Sequence, residues 1–195
     1  MVTPTALPAG GSFWVSSGDP GPVRVPVRGR VEADVAVIGG GFTGLWTAIS
    51  LLETDPALRV VVVEAERVGH GASGRNGGFC AASLTHGLHN GLLHFPDEIE
   101  VLEAEGQRNL RELVAFVRAE GIDAELEETG TLDVATEPWQ VDGLREYVEL
   151  GGSHGIELDF LDRQAIRDEV HSPRWLAAVR AGPERCVMLN PAKLA

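Results

Sequence analysis

Three glycines carry the first chemical signal in this chain. Gly39, Gly41 and Gly44 stand in "GGGFTG" at the spacing G-x-G-x-x-G. At that spacing the first glycine permits a tight turn out of a strand. The second lets bare backbone approach a pyrophosphate, and the third lets a helix pack closely on a sheet. A helix opening at Phe42 and Thr43 would aim its free N–H groups and positive dipole end at the phosphates. Glu64 follows Gly44 by twenty residues, with Ala65 next to it. A carboxylate there accepts hydrogen bonds from an adenosine ribose and repels a 2′-phosphate, which disfavours NADP. NAD and FAD both remain open, since each presents a ribose and a pyrophosphate.

A second glycine-rich stretch, "GASGRNGG", begins seven residues past Glu64. Gly71, Gly74, Gly77 and Gly78 allow close approach of backbone and unusual φ angles. Ser73 offers a hydroxyl, Arg75 a cation suited to phosphate, and Asn76 an amide that both donates and accepts. The dipeptide Asn76-Gly77 equally suits a hairpin turn. The residues alone leave a cofactor cradle and a plain turn both open.

Other reactive side chains form no constellation. His86, His89 and His94 lie close together in "HGLHNGLLH". A metal site needs a further ligand and a rigid element, and neither is evident, so no metal is expected. Those histidines read as lining a loop or the surroundings of the cofactor. No nucleophile and base stand at a recognisable spacing, and no catalytic residue is assigned. Trp46, Trp139 and Trp175 read as packing residues.

The elements that must position the glycines are legible. "VAVI" is a short apolar run, as expected of a strand buried on both faces of a parallel sheet. Leu45, Ala48, Ile49 and Leu52 then recur at helical spacing, and "RVVVVEA" gives a second buried strand. Strand, helix and strand with so short a crossover predict a parallel βαβ unit. The run from Val35 to Leu52 carries no charge and invites a membrane reading, but three glycines interrupt it and acids flank it.

Farther along, Asp97 and Glu100 resemble a capping box for a helix. Its apolar face holds Ile99, Leu102, Gly106, Leu110, Leu113 and Val117, and Gly121 stops it. "AELEETGTLDVAT" predicts two strands turning at Thr129-Gly130. A helix over 138–154, a strand in "IELDFLD" and a short helix in "DRQAIRDEV" follow. In "LNPAKLA", Asn190 is placed to cap a helix with Pro191 in its first position.

Composition narrows the function classes. Of 195 residues, 29 are acidic and 16 basic, for a net charge of −13. Nucleic-acid binding needs clustered cations and is excluded as an expectation. The two cysteines, Cys80 and Cys186, form no CxxC pattern, so a reducing, cytoplasmic setting is expected. The N-terminus lacks a basic start and apolar block, and does not read as a secretion signal. Residues 1–30 carry several prolines and no apolar period, which reads as an extended arm pinned by Phe13 and Trp14.

Taken together, "DVAVIGGGFTGLWTAISLL", "VVVVEAERVGHGASGRNGGF", "TGTLDVAT" and "LNPAKLA" resemble the FAD-dependent amine oxidoreductases of the D-amino-acid oxidase superfamily. The group typified by γ-glutamylputrescine oxidase is the nearest in pattern. The resemblance implies that Gly39, Gly41, Phe42, Thr43 and Gly44 hold the FAD pyrophosphate, and that Glu64 with Ala65 holds the ribose. It implies that Ser73, Gly74, Arg75, Asn76 and Gly77 run along the pyrophosphate toward the isoalloxazine ring. It also implies an α/β, overall α+β, fold: a Rossmann-like βαβ FAD-binding domain with part of a mainly antiparallel substrate domain.

On that basis the arm is 1–30, the FAD-binding part 31–120 and the substrate-domain part 121–180, with 181–195 returning toward the FAD domain. The resemblance spans the first half of a family member, so remaining segments are expected after Ala195. The implied activity is oxidation of a small-molecule amine or amino acid at the carbon next to nitrogen. A NAD-linked dehydrogenase and a nucleotide-binding fragment without turnover are the alternatives.

Overall fold

A computed structural model describes residues 12–17 and 24–195. The rest of the expected arm, 1–11 and 18–23, lies outside the described residues. Within the arm, Phe13–Ser17 forms a short helix, α1, where an extended lead-in is expected.

The expected strand–helix–strand is present. Strand β1 (Val35–Ile38) pairs in parallel with β2 (Val60–Val63), and helix α2 (Phe42–Thr54) connects them. Register runs from Val35 opposite Val60 to Ile38 opposite Val63. Just before the strands, Asp34 grips Arg59: Oδ1 accepts from Nη2 at 2.8 Å, and Oδ2 accepts from the Arg59 backbone N–H at 2.9 Å. These bonds hold the Asp34 carboxyl well below its ordinary range, at about 2. They fix the register at its open end. The uncharged run from Val35 to Leu52 is thus strand, turn and helix, and no helix among the described residues is long and apolar enough to cross a membrane.

Beyond Gly78 the pairing becomes antiparallel. Strand β3 (Phe79–Ala81) pairs with β7 (Cys186–Met188). A three-stranded sheet has the order β4 (Thr131–Ala135), β6 (Ala177–Ala181), β5 (Asp159–Leu161). The hairpin expected across Thr129-Gly130 does not form. Glu127 instead bridges Met188, while β4 pairs with β6, so the two halves of that segment take separate, distant partners. Gly130 sits at φ +73°, the conformation that the change of direction demands.

Strand β6 is the buried centre of its sheet, with Ala177, Ala178 and Val179 at 1% exposure or less. Its alanines have weak strand preference, which is why sequence periodicity passes over it. The segment "HGLHNGLLH", read as a loop, contains α3 (Leu88–His94), whose Leu88 packs with Ile99 and Ile156.

Helix α4 (Ile99–Ala119) buries Ile99, Glu103, Gly106, Leu110, Val114 and Val117. The capping box from Asp97 does not form; Glu98 occupies the cap without a side-chain bond. Gly121 ends the helix at φ +63° as expected. Helix α5 (Pro138–Ser153) begins with the Gln140 side chain accepting the Glu137 N–H at 2.9 Å. Helix α6 (Arg163–Glu169) is capped by Asp162, which accepts from Gln164 and Ala165 N–H.

By packing, the chain divides into two compact units. The first takes the described residues up to Gly78 with Gly121–Glu125 and Leu189–Ala195; the second takes Phe79–Glu120 and Leu126–Met188. Residues 79–120, which the sequence groups with the cofactor-binding part, pack in the second unit. Leu110 and Val114 of α4 form a core with Ala82 and Val187, and Arg185 Nη2 donates to the buried Glu103 carboxylate at 2.7 Å. Both cysteines are free thiols.

Candidate functional site

The candidate site lies in the first unit and grows out of the turn between β1 and α2. Gly39 leaves β1 at φ +104°, a conformation glycine adopts without strain. Its N–H still donates to the Val63 carbonyl at 2.8 Å, so the turn begins tied to β2. Gly44 lies in the first turn of α2, where an added Cβ would run into the Gly39 carbonyl oxygen and come within 3.3 Å of Val37 Cγ1. That is the close helix-on-strand approach for which the third glycine of the motif is needed.

The cap residue of α2, Gly41, has no side chain to bond the first-turn amides. By helix geometry the first-turn N–H groups of Phe42, Thr43 and Gly44 find no acceptor inside the helix. The structure brings one in from the second glycine-rich stretch: Ser73 Oγ accepts from Phe42 N–H at 2.9 Å. A Cβ on Gly41 would lie 3.0 Å from the same hydroxyl. Thr43 and Gly44 direct the remaining first-turn amides outward from the helix end, together with its positive dipole.

Glu64 follows β2 and bends back onto the turn. Its Oε2 accepts the Gly40 N–H at 2.7 Å, and its Oε1 accepts the Glu66 N–H at 3.0 Å. The bond from Glu66, then that from Gly40, hold the carboxyl below its ordinary range, so the group is an anion at neutral pH. Each oxygen keeps a lone pair for a hydroxyl donor. Ala65, beside it, is exposed. Gly40 is a site residue that the motif spacing does not single out. It supplies the amide to Glu64, its carbonyl accepts Gly69 N–H at 2.9 Å, and a Cβ would meet Glu64 Cβ and Val68 Cγ2 at 3.3 Å.

The stretch "GASGRNGG" is not a hairpin. Ala72–Gly74 is a single 3-10 turn, and the positive φ falls on Gly78 (+80°), not on Asn76 or Gly77. Asn76 works inside the loop: Nδ2 donates to the Ser73 carbonyl at 2.8 Å, and Oδ1 accepts Gly78 N–H at 2.9 Å. Those bonds replace the turn that the dipeptide would otherwise favour. Gly74 is buried, and a Cβ there would run into the Gly69 carbonyl oxygen.

Helix α7 (Pro191–Leu194) packs on this 3-10 turn, capped as expected by Asn190 Oδ1. Asn190 is 1% exposed, and its Nδ2 donates to Glu125 at 3.0 Å. Lys193 Nζ reaches Asp123 at 3.1 Å and Glu125 at 2.9 Å. Residues 121–125 and 189–195 are thereby stapled together beneath the loop.

Gly39, Gly40, Gly41, Phe42, Gly44, Glu64 and Ser73 therefore converge on one helix end. Arg75, Asn76 and Gly77 are exposed on the loop, and Arg75 Nη2 sits 2.9 Å from His70 Nε2. Of the histidines, His89 stacks on Tyr147 at 5.6 Å in the second unit. Among the described residues no cluster suited to a metal ion occurs.

The cradle suits a dinucleotide such as FAD on chemical grounds. It combines bare backbone at the turn, outward amides for a pyrophosphate, and an ionised acceptor one strand away for a ribose.

Comparison with known proteins gives the family. Residues 34–195 match the family model described as FAD dependent oxidoreductase. The γ-glutamylputrescine oxidoreductase of Escherichia coli is 34% identical over 162 residues, covering 76% of this chain and 35% of that protein. An L-2-hydroxyglutarate dehydrogenase of Indibacter alkaliphilus is 32% identical over 129 residues, covering 65% of this chain and 29% of that protein. The glycine oxidase of Bacillus cereus superposes with a TM-score of 0.64 at 22% identity, over 84% of this chain and 41% of that one. The chain spans less than half the length of each of these relatives. With its glycine turn, ionised Glu64 and second glycine loop falling inside the matched residues, the chain belongs to the family of FAD-dependent oxidoreductases.

Proposed function

We propose that this chain forms the cofactor-binding portion of an FAD-dependent enzyme that oxidises a primary or secondary amine, or an amino acid, at the carbon next to nitrogen. The observation that carries the reading is the convergence of two loops on one helix end: Glu64 on Gly40, and Ser73 on the Phe42 amide. In this reading Gly39, Gly41, Phe42, Thr43 and Gly44 hold the pyrophosphate. Glu64 and Ala65 bind the adenosine ribose, and Ser73 through Gly77 follow the pyrophosphate toward the flavin ring. Bound FAD would supply the acceptor for a hydride equivalent from the substrate carbon. The role of these residues would be to bind and orient the cofactor. The first compact unit is then the FAD-binding unit, and the second contributes to the substrate side.

The amine assignment is supported by the relative that is 34% identical, whose name is that of an amine oxidoreductase. The 2-hydroxy-acid dehydrogenase among the relatives makes a 2-hydroxy acid the competing substrate class. The excess of acids over bases favours a small cationic substrate over nucleic acid. Two free thiols suit a reducing, cytoplasmic setting.

The test uses the intact gene product. Yellow protein that bleaches anaerobically on adding a primary or secondary amine, and not a 2-hydroxy acid, is the expected result. Bleaching by 2-hydroxy acids alone replaces the substrate class. Protein that takes up no added FAD overturns the reading.

A further inference from the structure

The short helix α1 sits against the second glycine loop, and nothing in the cofactor motifs calls for it. Trp14 Nε1 donates to the Asn76 carbonyl at 2.8 Å, and Ser12 Oγ donates to the Gly74 carbonyl at 3.1 Å. Both bonds span 62 residues of sequence. The indole also lies flush on bare backbone. A Cβ on Gly78 would fall 2.8 Å from Trp14 Cζ2, so only glycine leaves room for the ring.

Resting on the FAD reading above, we propose that Trp14, with Ser12, is a positioning residue for the FAD-binding loop. The loop is rich in glycine, and a free glycine backbone loses more conformational freedom on ordering than any other. Its own side chains serve only part of it: Asn76 bonds the Ser73 carbonyl and the Gly78 amide. The Gly74 and Asn76 carbonyls are bonded from outside the loop, by Ser12 and Trp14.

The direction of those bonds matters. In a trans peptide the carbonyl and the following N–H point opposite ways. Drawing the Asn76 carbonyl toward the indole therefore turns the Gly77 N–H away from it, ready for an anion. Three links then join Trp14 to the end of α2: indole to Asn76, Asn76 to Ser73 at 2.8 Å, and Ser73 to the Phe42 amide at 2.9 Å. A loop held in its bound shape binds more tightly because less ordering remains to be done.

The experiment titrates FAD into the apoprotein of the intact gene product and follows flavin fluorescence, with the apoprotein's melting temperature measured alongside. Trp14→Phe keeps an aromatic ring on Gly78 and removes the N–H. It should weaken FAD binding about fivefold to tenfold, the worth of one hydrogen bond, with the apoprotein melting unchanged. Ser12→Ala removes one hydroxyl and no packing, and should weaken FAD about twofold to fivefold.

Unchanged FAD affinity in Trp14→Phe overturns the proposal. So does a loss of affinity confined to Trp14→Phe and accompanied by a lower apoprotein melting temperature, with Ser12→Ala binding FAD normally. Failure of the unaltered protein to bind FAD would refute the functional reading instead, and is read from the same titration.

Discussion

Gly44→Ala is the sharpest perturbation of the cofactor turn, because two opposing effects can be weighed from the structure. Alanine is favoured over glycine in a helix interior by about 1 kcal/mol, and α2 would gain that amount. Against this, the new Cβ runs into the Gly39 carbonyl oxygen and lies 3.3 Å from Val37 Cγ1. The clash is with backbone, on a residue at φ +104° whose N–H is bonded to Val63, so no side chain can swing aside. Overpacking of this kind costs about 1–3 kcal/mol, and backbone against backbone belongs at the upper end.

The net expectation is a loss of about 2 kcal/mol, or about 4–8 °C in melting temperature for a chain of this size. Lifting α2 from the turn also moves the amides of Thr43 and Gly44, so FAD binding should weaken as well. Gly143→Ala in α5 is the matched control. It places the same methyl on a helix with nothing within 4 Å, and should stabilise by about 0.5–1 kcal/mol. Thermal melts of both variants and a flavin titration of the first decide the matter. A Gly44→Ala protein as stable as the Gly143→Ala protein, with FAD bound as before, would refute the close-approach argument.

Further expectations follow from the pairs around the site and the core. Glu64→Gln removes the charge that the Glu66 and Gly40 amides stabilise, and should weaken FAD binding about tenfold to a hundredfold in a fluorescence titration. Equal affinity would remove Glu64 from the ribose site. Glu103→Ala leaves Arg185 buried, with its Nη1 already lacking a partner among the described residues, and should cost about 3–5 kcal/mol in urea unfolding. The double replacement by leucine and methionine should recover most of that, which a purely additive result would contradict. Asp34 is depressed from 3.8 to about 2 by Arg59, so its contribution to stability is present above pH 4 and is lost as pH falls toward 2. Asp34→Asn should flatten the acid side of the stability profile over that window, and an unchanged profile would count against the clamp.

Local chemistry makes much of the candidate site legible in the sequence. A run of valines and isoleucine leaves few options but a strand, although β1 and β2 are only half-buried and Ile38 is 81% exposed. Glycines at 39, 41 and 44 between strand and helix follow from steric need at one turn. The spacing to Glu64 is set by the length of a helix and a strand, so its carboxylate was placed by counting. The cap at Asn190 and the stop at Gly121 depend on their immediate neighbours and were readable for the same reason.

Tertiary structure decided what depends on residues far away in sequence. Glu127 and β4 look like neighbours in a hairpin, but Met188 and β6 offer them partners about forty to sixty residues on. The alanines of β6 carry little strand preference and are held in the sheet by strands on both sides. Asn76-Gly77 would turn a hairpin by itself; the amide side chain instead bonds Ser73 and Gly78 and gives a loop. The bond from Ser73 to the α2 amide and the seat of Trp14 on Gly78 join positions that no local pattern links. Sequence named the groups proposed to bind a dinucleotide; long-range hydrogen bonds and close backbone contacts set where those groups stand.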